Sequence, residues 1–359
     1  MENVRFVQNN ADPCLFVHQD MIYLVYVDDY LFFAKDDSRF EKILKKLLGE
    51  NLTLEREDDV AGFLEDNLNV NQESETVELL QSGLIDRIIT AMGLDNANSI
   101  STPAEYGALP KDEEGEPYNE DFNYPAIVGM LLYLQGHSRS DITFATAQCA
   151  RYSFCPKMSH EKAIKRIGRY LVGTRSKGLI MTPNNDLNVD CYVDSDFAGL
   201  WSYEEAQDPT CVKSRTGYVV LMGNCPVMWT SKLQTEISLS TMEAEYVAMS
   251  TAMRELIPLK RLIVAVSKAV GVKEKDTVDM LTRVWEDNEG CLKLAKLEPP
   301  RMMPRSKHYA LKYHWFRSQI VPNNITLLRI KSEEQLADIF TKGLRKDVFE
   351  IIRKLVMGW

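Results

Sequence analysis

The period of the apolar positions changes several times along the chain, and each change marks an element. Residues 14–34 read CLFVHQDMIYLVYVDDYLFFA, two runs rich in Val, Ile, Leu and aromatics around Asp28-Asp29. Such runs favour strands and adjacent aspartates favour a turn, so the pattern predicts a hairpin with both carboxylates at its tip. Both parities are apolar (Ile22, Leu24, Tyr26 and Tyr23, Val25, Val27), which predicts burial of both faces. Between 126 and 179 the period shifts to three and four, in IVGMLLYL and HEKAIKRIGRYLVG, and predicts helices. From 189 onward the order is a strand at 189–194, a hairpin at 217–231 and a long helix from about Thr241. A strand at 284–287, a short helix, a helical segment at 305–320, a strand at 325–330 and a helix at 333–343 follow. Three antiparallel strands and then alternating helices and strands predict an α/β fold, a mixed sheet with helices on its faces. Its first strand alternates Val189, Cys191 and Val193 inward against Asp190, Tyr192 and Asp194.

Punctuation separates these regions. Residues 103–125, PAEYGALPKDEEGEPYNEDFNYP, hold four prolines and seven acids without a period, and predict an exposed linker. A second break falls at 182–188, TPNNDLN, and no internal repeat is present.

Composition narrows the class. With 359 residues, 45% apolar and 26% charged, the chain lies in the globular range and has room for two or three domains. No stretch approaches the ~18–20 apolar residues of a membrane span, and the N-terminal residues lack a signal-peptide pattern. Seven cysteines, without a C-x-x-C pair, point to free thiols in a reducing compartment. A net charge of −10 excludes a whole-protein basic field, so any polyanion must meet a local patch. One such patch is evident. Residues 36–78 carry thirteen acids against five Lys/Arg, whereas 299–332 carry no acid. That second stretch holds Arg301, Arg305, Lys307, His308, Lys312, His314 and Arg317, interleaved with Tyr309, Tyr313, Trp315 and Phe316. Cations among aromatics suit phosphates and bases.

Four acids fall at matching structural points: Asp194 ending a strand, Glu245 early in the long helix, Asp287 ending a strand, and Asp338 on the last helix. Converging carboxylates repel unless cations neutralise them. Two Mg²⁺ ions, with Mn²⁺ as the alternative, would do so and activate water for attack on a phosphodiester. Ser240-Thr241-Met242-Glu243 fits a capping box, which gives Glu243 a structural task and leaves Glu245 free. Ser332-Glu333-Glu334-Gln335 fits a second one, expected to start the helix that presents Asp338.

The motifs ADPCLFV, YLVYVDDYLFFAKD, ISTPAE, YPAIVGMLLYL and RSDITFATAQCARY resemble the reverse transcriptase of copia-type LTR retrotransposons. YVDSDFAG, KSRTGYVVLMG, WTSKLQTEISLSTMEAEYVAMS, EDNEGCLKLA, RSKHYALKYHWFR and EEQLADIFTKGL resemble the RNase H domain of the same family. The resemblance implies a metal-binding role for Asp28, with Asp29 beside it, in a palm hairpin. It implies Asp194, Glu245, Asp287 and Asp338 as the catalytic metal ligands of an RNase H, with Asp196 as runner-up to Asp194. It further implies an RNA/DNA hybrid as partner, with Arg305, Lys307, His308, Lys312 and Arg317 on its phosphates. A cytoplasmic site, in virus-like particles and with nuclear access, is implied too.

The expected organisation is a truncated palm hairpin (1–35), a thumb-like region (36–102), the linker (103–125) and a helical connection (126–185). An RNase H-like domain (186–344) and a tail (345–359) complete it. The family's polymerase uses an upstream aspartate, and only 27 residues precede Asp28. The expectation is therefore RNA-strand hydrolysis, no DNA synthesis by this chain alone without the missing Pol segments, or a relic that only binds nucleic acid. A protease-resistant core starting near 185 is expected as well. The sequence departs from the family at Ser140 and Gly343, where Pro is common, and at Ala310, where Asp is common.

Overall fold

A computed structural model describes residues 6–9, 12–18, 21–27, 29–34, 36–48, 67–119, 122–184, 188–201, 210–272, 280–298, 301–303, 306–312 and 314–359. Asp28, Arg305 and residues 49–66 of the thumb-like region lie outside the described residues. In chain order the elements are β1 (Val7–Gln8), β2 (Leu15–His18), β3 (Met21–Tyr26), β4 (Asp29–Ala34), α1 (Asp37–Leu48), β5 (Asn67–Asn71), β6 (Thr76–Leu80) and α2 (Ser82–Ala91). Then come α3 (Tyr124–His137), α4 (Thr143–Ala150), α5 (Met158–Gly173), β7 (Leu179–Met181), β8 (Val189–Asp196), β9 (Arg215–Met222), β10 (Cys225–Leu233) and α6 (Thr241–Ala269). The last are β11 (Thr282–Glu286), α7 (Glu289–Lys296), α8 (Lys307–Lys312), α9 (His314–Ile320), β12 (Ile325–Arg329), α10 (Asp338–Thr341) and α11 (Lys346–Met357). The chain divides into two compact units, 1–69 with 255–280, and 70–254 with 281–359.

In the first unit the expected hairpin forms. β3 and β4 pair from Met21↔Ala34 to Tyr26↔Asp29, in a sheet ordered β1-β2-β3-β4. Met21, Ile22 and Tyr23, far from the turn, are buried on both parities, while Tyr26, Val27 and Tyr30 near it are exposed. The reason is that β2 reaches only as far as Leu24, so the sheet narrows to two strands toward the tip. Val27 enters the turn with φ 53°, a conformation that a β-branched side chain rarely adopts.

The second unit contains a five-stranded sheet ordered β10-β9-β8-β11-β12. β10, β9 and β8 are antiparallel, and β11 and β12 continue parallel to β8. This is the RNase H-like arrangement expected from the order of elements. Gly223 (φ 56°) and Asn224 (φ 68°) close the β9–β10 hairpin, the two left-handed positions that a tight primed turn requires. Val189, Cys191 and Val193 are buried as expected, yet Asp190 and Asp194 on the opposite parity are buried too. That face is also covered. Arg283 donates twice to Asp190, each at 2.6 Å, and the Trp285 indole donates to it at 2.7 Å.

The covering layer comes from the helical region. Ile85, Ile88, Leu131, Leu134, Ile164 and Ile167 share one core with Val219, Leu221, Phe340 and Phe349. Trp229 on β10 donates to the Gln135 carbonyl at the end of α3 (2.8 Å). Packing therefore runs without a break past residue 185. Residues 345–359, left by the sequence as a tail, include α11, whose Phe349, Ile352 and Val356 are buried. Trp359 donates from Nε1 to the Gly178 carbonyl (2.7 Å).

Segment 103–125 has no regular structure over most of its length, as read, but it is fastened down. The Tyr152 hydroxyl donates to the Leu109 carbonyl (2.9 Å), the Ser159 hydroxyl donates to Asp112 (2.6 Å), and Phe122 is buried. An irregular strap that lies on a core must find donors for its carbonyls, and Tyr152, just after α4, and the Met158 amide at the start of α5, which donates to the Glu116 carbonyl (2.9 Å), supply them. Two departures from the family pattern sit at such contacts. A Cβ on Gly343, which proline would bring, would run into the Glu105 carbonyl. Ser140 is buried and donates to the Met357 sulfur (3.0 Å).

Candidate active site

Asp194 sits on β8 opposite Gly217 of β9. A Cβ at Gly217 would come within 2.5 Å of the Thr341 methyl and 2.9 Å of Phe340. The bare backbone thus lets α10 approach, and the Thr341 hydroxyl donates to Oδ2 of Asp194. Gln335 donates to the Val193 carbonyl (2.9 Å) and holds the preceding turn on the strand.

Glu245 is set by the start of α6. Ser240 Oγ accepts from the Glu243 amide (3.1 Å), and Glu243 Oε2 accepts from the Leu239 amide (2.9 Å). The capping box therefore forms, with the glutamate reaching one residue further back than expected. Gln234 Nε2 donates to the Ala244 carbonyl (2.9 Å) and to Thr216 Oγ1 (3.1 Å), which pins this helix end to β9. Tyr246, next in sequence, packs on Phe316 and Tyr309 with ring centroids 4.9 and 5.7 Å away. Glu245 is 3% exposed, and its Oε2 is buried without a hydrogen-bond partner.

β11 ends at Glu286, and Asp287 follows immediately. The Ser332 hydroxyl donates to Oδ2 of Asp287 (2.6 Å). The expected second capping box is therefore absent: Ser332 starts a single 3₁₀ turn, Ser332–Glu334, without a side-chain cap. The helix read at 333–343 is broken, and Asp338 opens the short α10 instead.

Asp194, Glu245 and Asp287 each bring a carboxylate oxygen to one place, all within 4.8 Å of one another. Asp338 does not join that trio. Its Oδ1 lies 2.9 Å from the Lys342 ammonium, which also lies 3.8 Å from Asp194. Asp196, the runner-up, lies opposite Arg215 in the sheet register and outside the trio.

Burial and crowding raise four carboxyls of this region. Burial raises the Glu245 carboxyl well above its ordinary value, and Glu286, Asp194 and Asp287 add to this. Burial likewise raises Glu286, with Asp287 and Asp194 adding and the Asn288 amide opposing. Burial and then Asp194 push Asp338 up to about 7 against the pull of Lys342. Burial raises Asp196, and Asp194 adds to it. Burial favours the neutral Lys342, but Asp194 and Asp338 outweigh it and hold the ammonium.

The expected nucleic-acid contacts divide. Lys307 is exposed. His308 Nε2 lies 3.4 Å from Glu243 Oε1. Lys312 is in α8, and its side chain is outside the described residues. Arg317 is a correction: it is buried, and Nη2 donates to the carbonyls of Leu297 and Arg301, so its charge holds the loop after α7. Tyr309 and Phe316 are likewise core, while Trp315 is 43% exposed. At the hairpin of the first unit Asp29 is exposed, and among the described residues no metal-type cluster includes it.

Sequence reasoning missed Glu286, Ser332, Thr341 and Lys342. Thr341 and Lys342 stand three and four residues after Asp338, one helical turn on, which was the available signal. Glu286 adjoins Asp287 but shares strand parity with the buried Val284.

No family model matches the chain. Over 99% of its length it is 29% identical to the retrovirus-related Pol polyprotein from transposon TNT 1-94 of Nicotiana tabacum. Over 97% it is 28% identical to that from transposon RE1 of Arabidopsis thaliana. It spans 26% and 22% of those polyproteins, about a quarter of their length. Among solved structures, LC11-RNase H1, isolated from compost, aligns with 43% of this chain and 93% of its own, at 20% identity and TM-score 0.30.

Proposed function

Starting from the kinship of nearly the whole chain with copia-type, retrovirus-related Pol polyproteins of plant transposons, we propose that its second unit is a metal-dependent nuclease that hydrolyses the RNA strand of an RNA/DNA hybrid. The observation that carries this reading is the convergence of Asp194, Glu245 and Asp287 from three separate elements within 4.8 Å. The donor set is all oxygen, as Mg²⁺ prefers, with Mn²⁺ acceptable to the same ligands. Glu245 Oε2, buried and unpartnered, fits a ligand atom awaiting its ion. Asp194, Glu245 and Asp287 would hold the metal, and Asp338 would extend the site toward a second ion. Bound there, divalent ions would lower the pKa of a water and stabilise charge on the scissile phosphate.

The chain's own groups prepare this. Ser332 orients Asp287, and Thr341 orients Asp194. Lys342 keeps an ammonium between Asp194 and Asp338, where negative charge would otherwise accumulate. Lys307, His308 and Trp315 offer exposed contacts to the hybrid on the basic segment, and 2′-hydroxyls would distinguish the RNA strand. The proposal assigns DNA synthesis to no residue of this chain. The test is incubation of the purified chain with Mg²⁺ and an end-labelled hybrid. RNA-strand cleavage leaving 5′-phosphate and 3′-hydroxyl ends is expected, and an intact RNA strand would contradict it.

Lys342 favours a second reading, a relic without catalysis that at most binds nucleic acid, because an internal ammonium already neutralises part of the cluster. Failure of Mn²⁺ to bind the folded chain would select that reading.

A further inference from the structure

A cavity of about 450 Å³ in the second unit shares no wall with the carboxylate site. Ser99, Ser101, Lys177, Glu350, Arg353 and Trp359 line it. We infer that it binds a phosphate group, either a phosphodiester of a nucleic-acid strand or a free phosphate.

Charge argues for this first. Among the lining side chains, Lys177 and Arg353 meet one carboxylate, Glu350, which lies 3.9 Å from the Lys346 ammonium. A concave wall focuses such an excess of positive charge. Carbonyls at the C-terminal end of α5 would oppose an anion, but buried Arg139 answers them. It donates to the Thr174 and Lys177 carbonyls (3.3 and 3.5 Å) while Asp141 neutralises it. That bond holds the backbone of Lys177, whose side chain lines the cavity.

Donor capacity is the second argument. Trp359 is anchored through Nε1 to Gly178, and its ring carries Arg353 at 4.1 Å and Lys177 at 5.9 Å. The indole therefore sets both cations. Arg353 has a buried Nε without a partner, and its Nη1 makes only a 3.4 Å bond to the Tyr170 hydroxyl. A guanidinium with spare donors, an ammonium and two exposed serine hydroxyls match the several acceptor oxygens of a phosphate.

The experiment titrates the full chain in EDTA with inorganic phosphate and, separately, with a single-stranded deoxyoligonucleotide. Tryptophan emission is followed against chloride at equal ionic strength, with Trp359→Phe identifying the responding ring. A saturable response is expected that weakens about five-fold in Lys177→Gln and two- to three-fold in Ser101→Ala, roughly the loss of one donor each. Both side chains are exposed, so thermal melts should match wild type. A response to phosphate alone identifies a free anion as the ligand, and a response to the oligonucleotide identifies a strand. No saturable response to either, or equal affinities in wild type and Lys177→Gln, overturns the inference. Hybrid cleavage is read separately, so failure here leaves the nuclease proposal standing.

Discussion

Lys342 holds its ammonium 2.9 Å from a carboxylate oxygen of Asp338, one helical turn earlier in sequence. The same ammonium lies 3.8 Å from Asp194. A single cation thus serves two acids in a cluster that also contains Glu245 and Asp287. Replacing it with glutamine should lower metal-free stability at neutral pH by about 1 kcal/mol, since the side chain is 44% exposed and screened. The same variant should bind Mn²⁺ more tightly, because the metal no longer competes with an ammonium. Calorimetric titration checks the second effect; unchanged or weaker Mn²⁺ affinity would speak against it.

Protonation gives a pH dependence of definite sign. Asp338 is raised to about 7, and Glu245 and Glu286 are raised as well. An unfolded carboxylate releases its proton near about 4. Between that pH and about 7 the folded chain therefore holds protons that the unfolded chain has lost. Stability without metal should be greatest on the acid side and fall as pH rises through this window. Thermal melts in EDTA across the window measure this. Adding Mg²⁺ should stabilise more at the upper end than at the lower, and equal stabilisation at both ends would contradict the assignment.

The hydroxyl of Ser332 fixes Asp287 at 2.6 Å. Ser332→Ala removes that bond at an exposed position with little packing. Partners of this kind are worth roughly ten- to a hundred-fold in activity or metal affinity. Hybrid cleavage should fall within that range while the melting temperature stays near wild type. A large loss of stability with normal activity per folded molecule would assign Ser332 a structural task instead.

Phe349 of α11 packs in the core that joins the helical region to the sheet. Phe349→Ala should cost about 3–5 kcal/mol. By the same packing, a fragment starting near residue 185 should not keep a native core, whereas the described residues of 70–184, 188–254 and 281–359 should resist protease together. Chemical denaturation and limited proteolysis with mass mapping provide the readout.

Much of the fold was legible because local pattern and tertiary demand agree. The alternation at Val189, Cys191 and Val193, the hairpin pattern at 217–231 and the Ser240 cap each say locally what the sheet requires. Four acids were read from their placement on separate elements, and three of them, Asp194, Glu245 and Asp287, converge, while Asp338 stays outside the trio. What failed depended on contacts distant in sequence. Ser332 and Glu333 read as a helix start, but Asp287, 45 residues upstream of Ser332, takes the hydroxyl. Arg317 read as a phosphate contact, yet the carbonyls of Leu297 and Arg301 use it. Residues 345–359 read as a tail because a short amphipathic stretch does not name its partner, and that partner is a core beginning near Leu84.

The most direct measurement compares wild type with Asp194→Asn on an RNA/DNA hybrid in Mg²⁺, at protein concentrations where both are shown to be folded. Wild type should cut the RNA strand, and the variant should lose at least about 100-fold in rate, as expected when charge stabilisation at the reacting phosphate is removed. Equal cleavage by the two proteins, or none by wild type, would contradict the assignment of Asp194, Glu245 and Asp287 as a hydrolytic metal site.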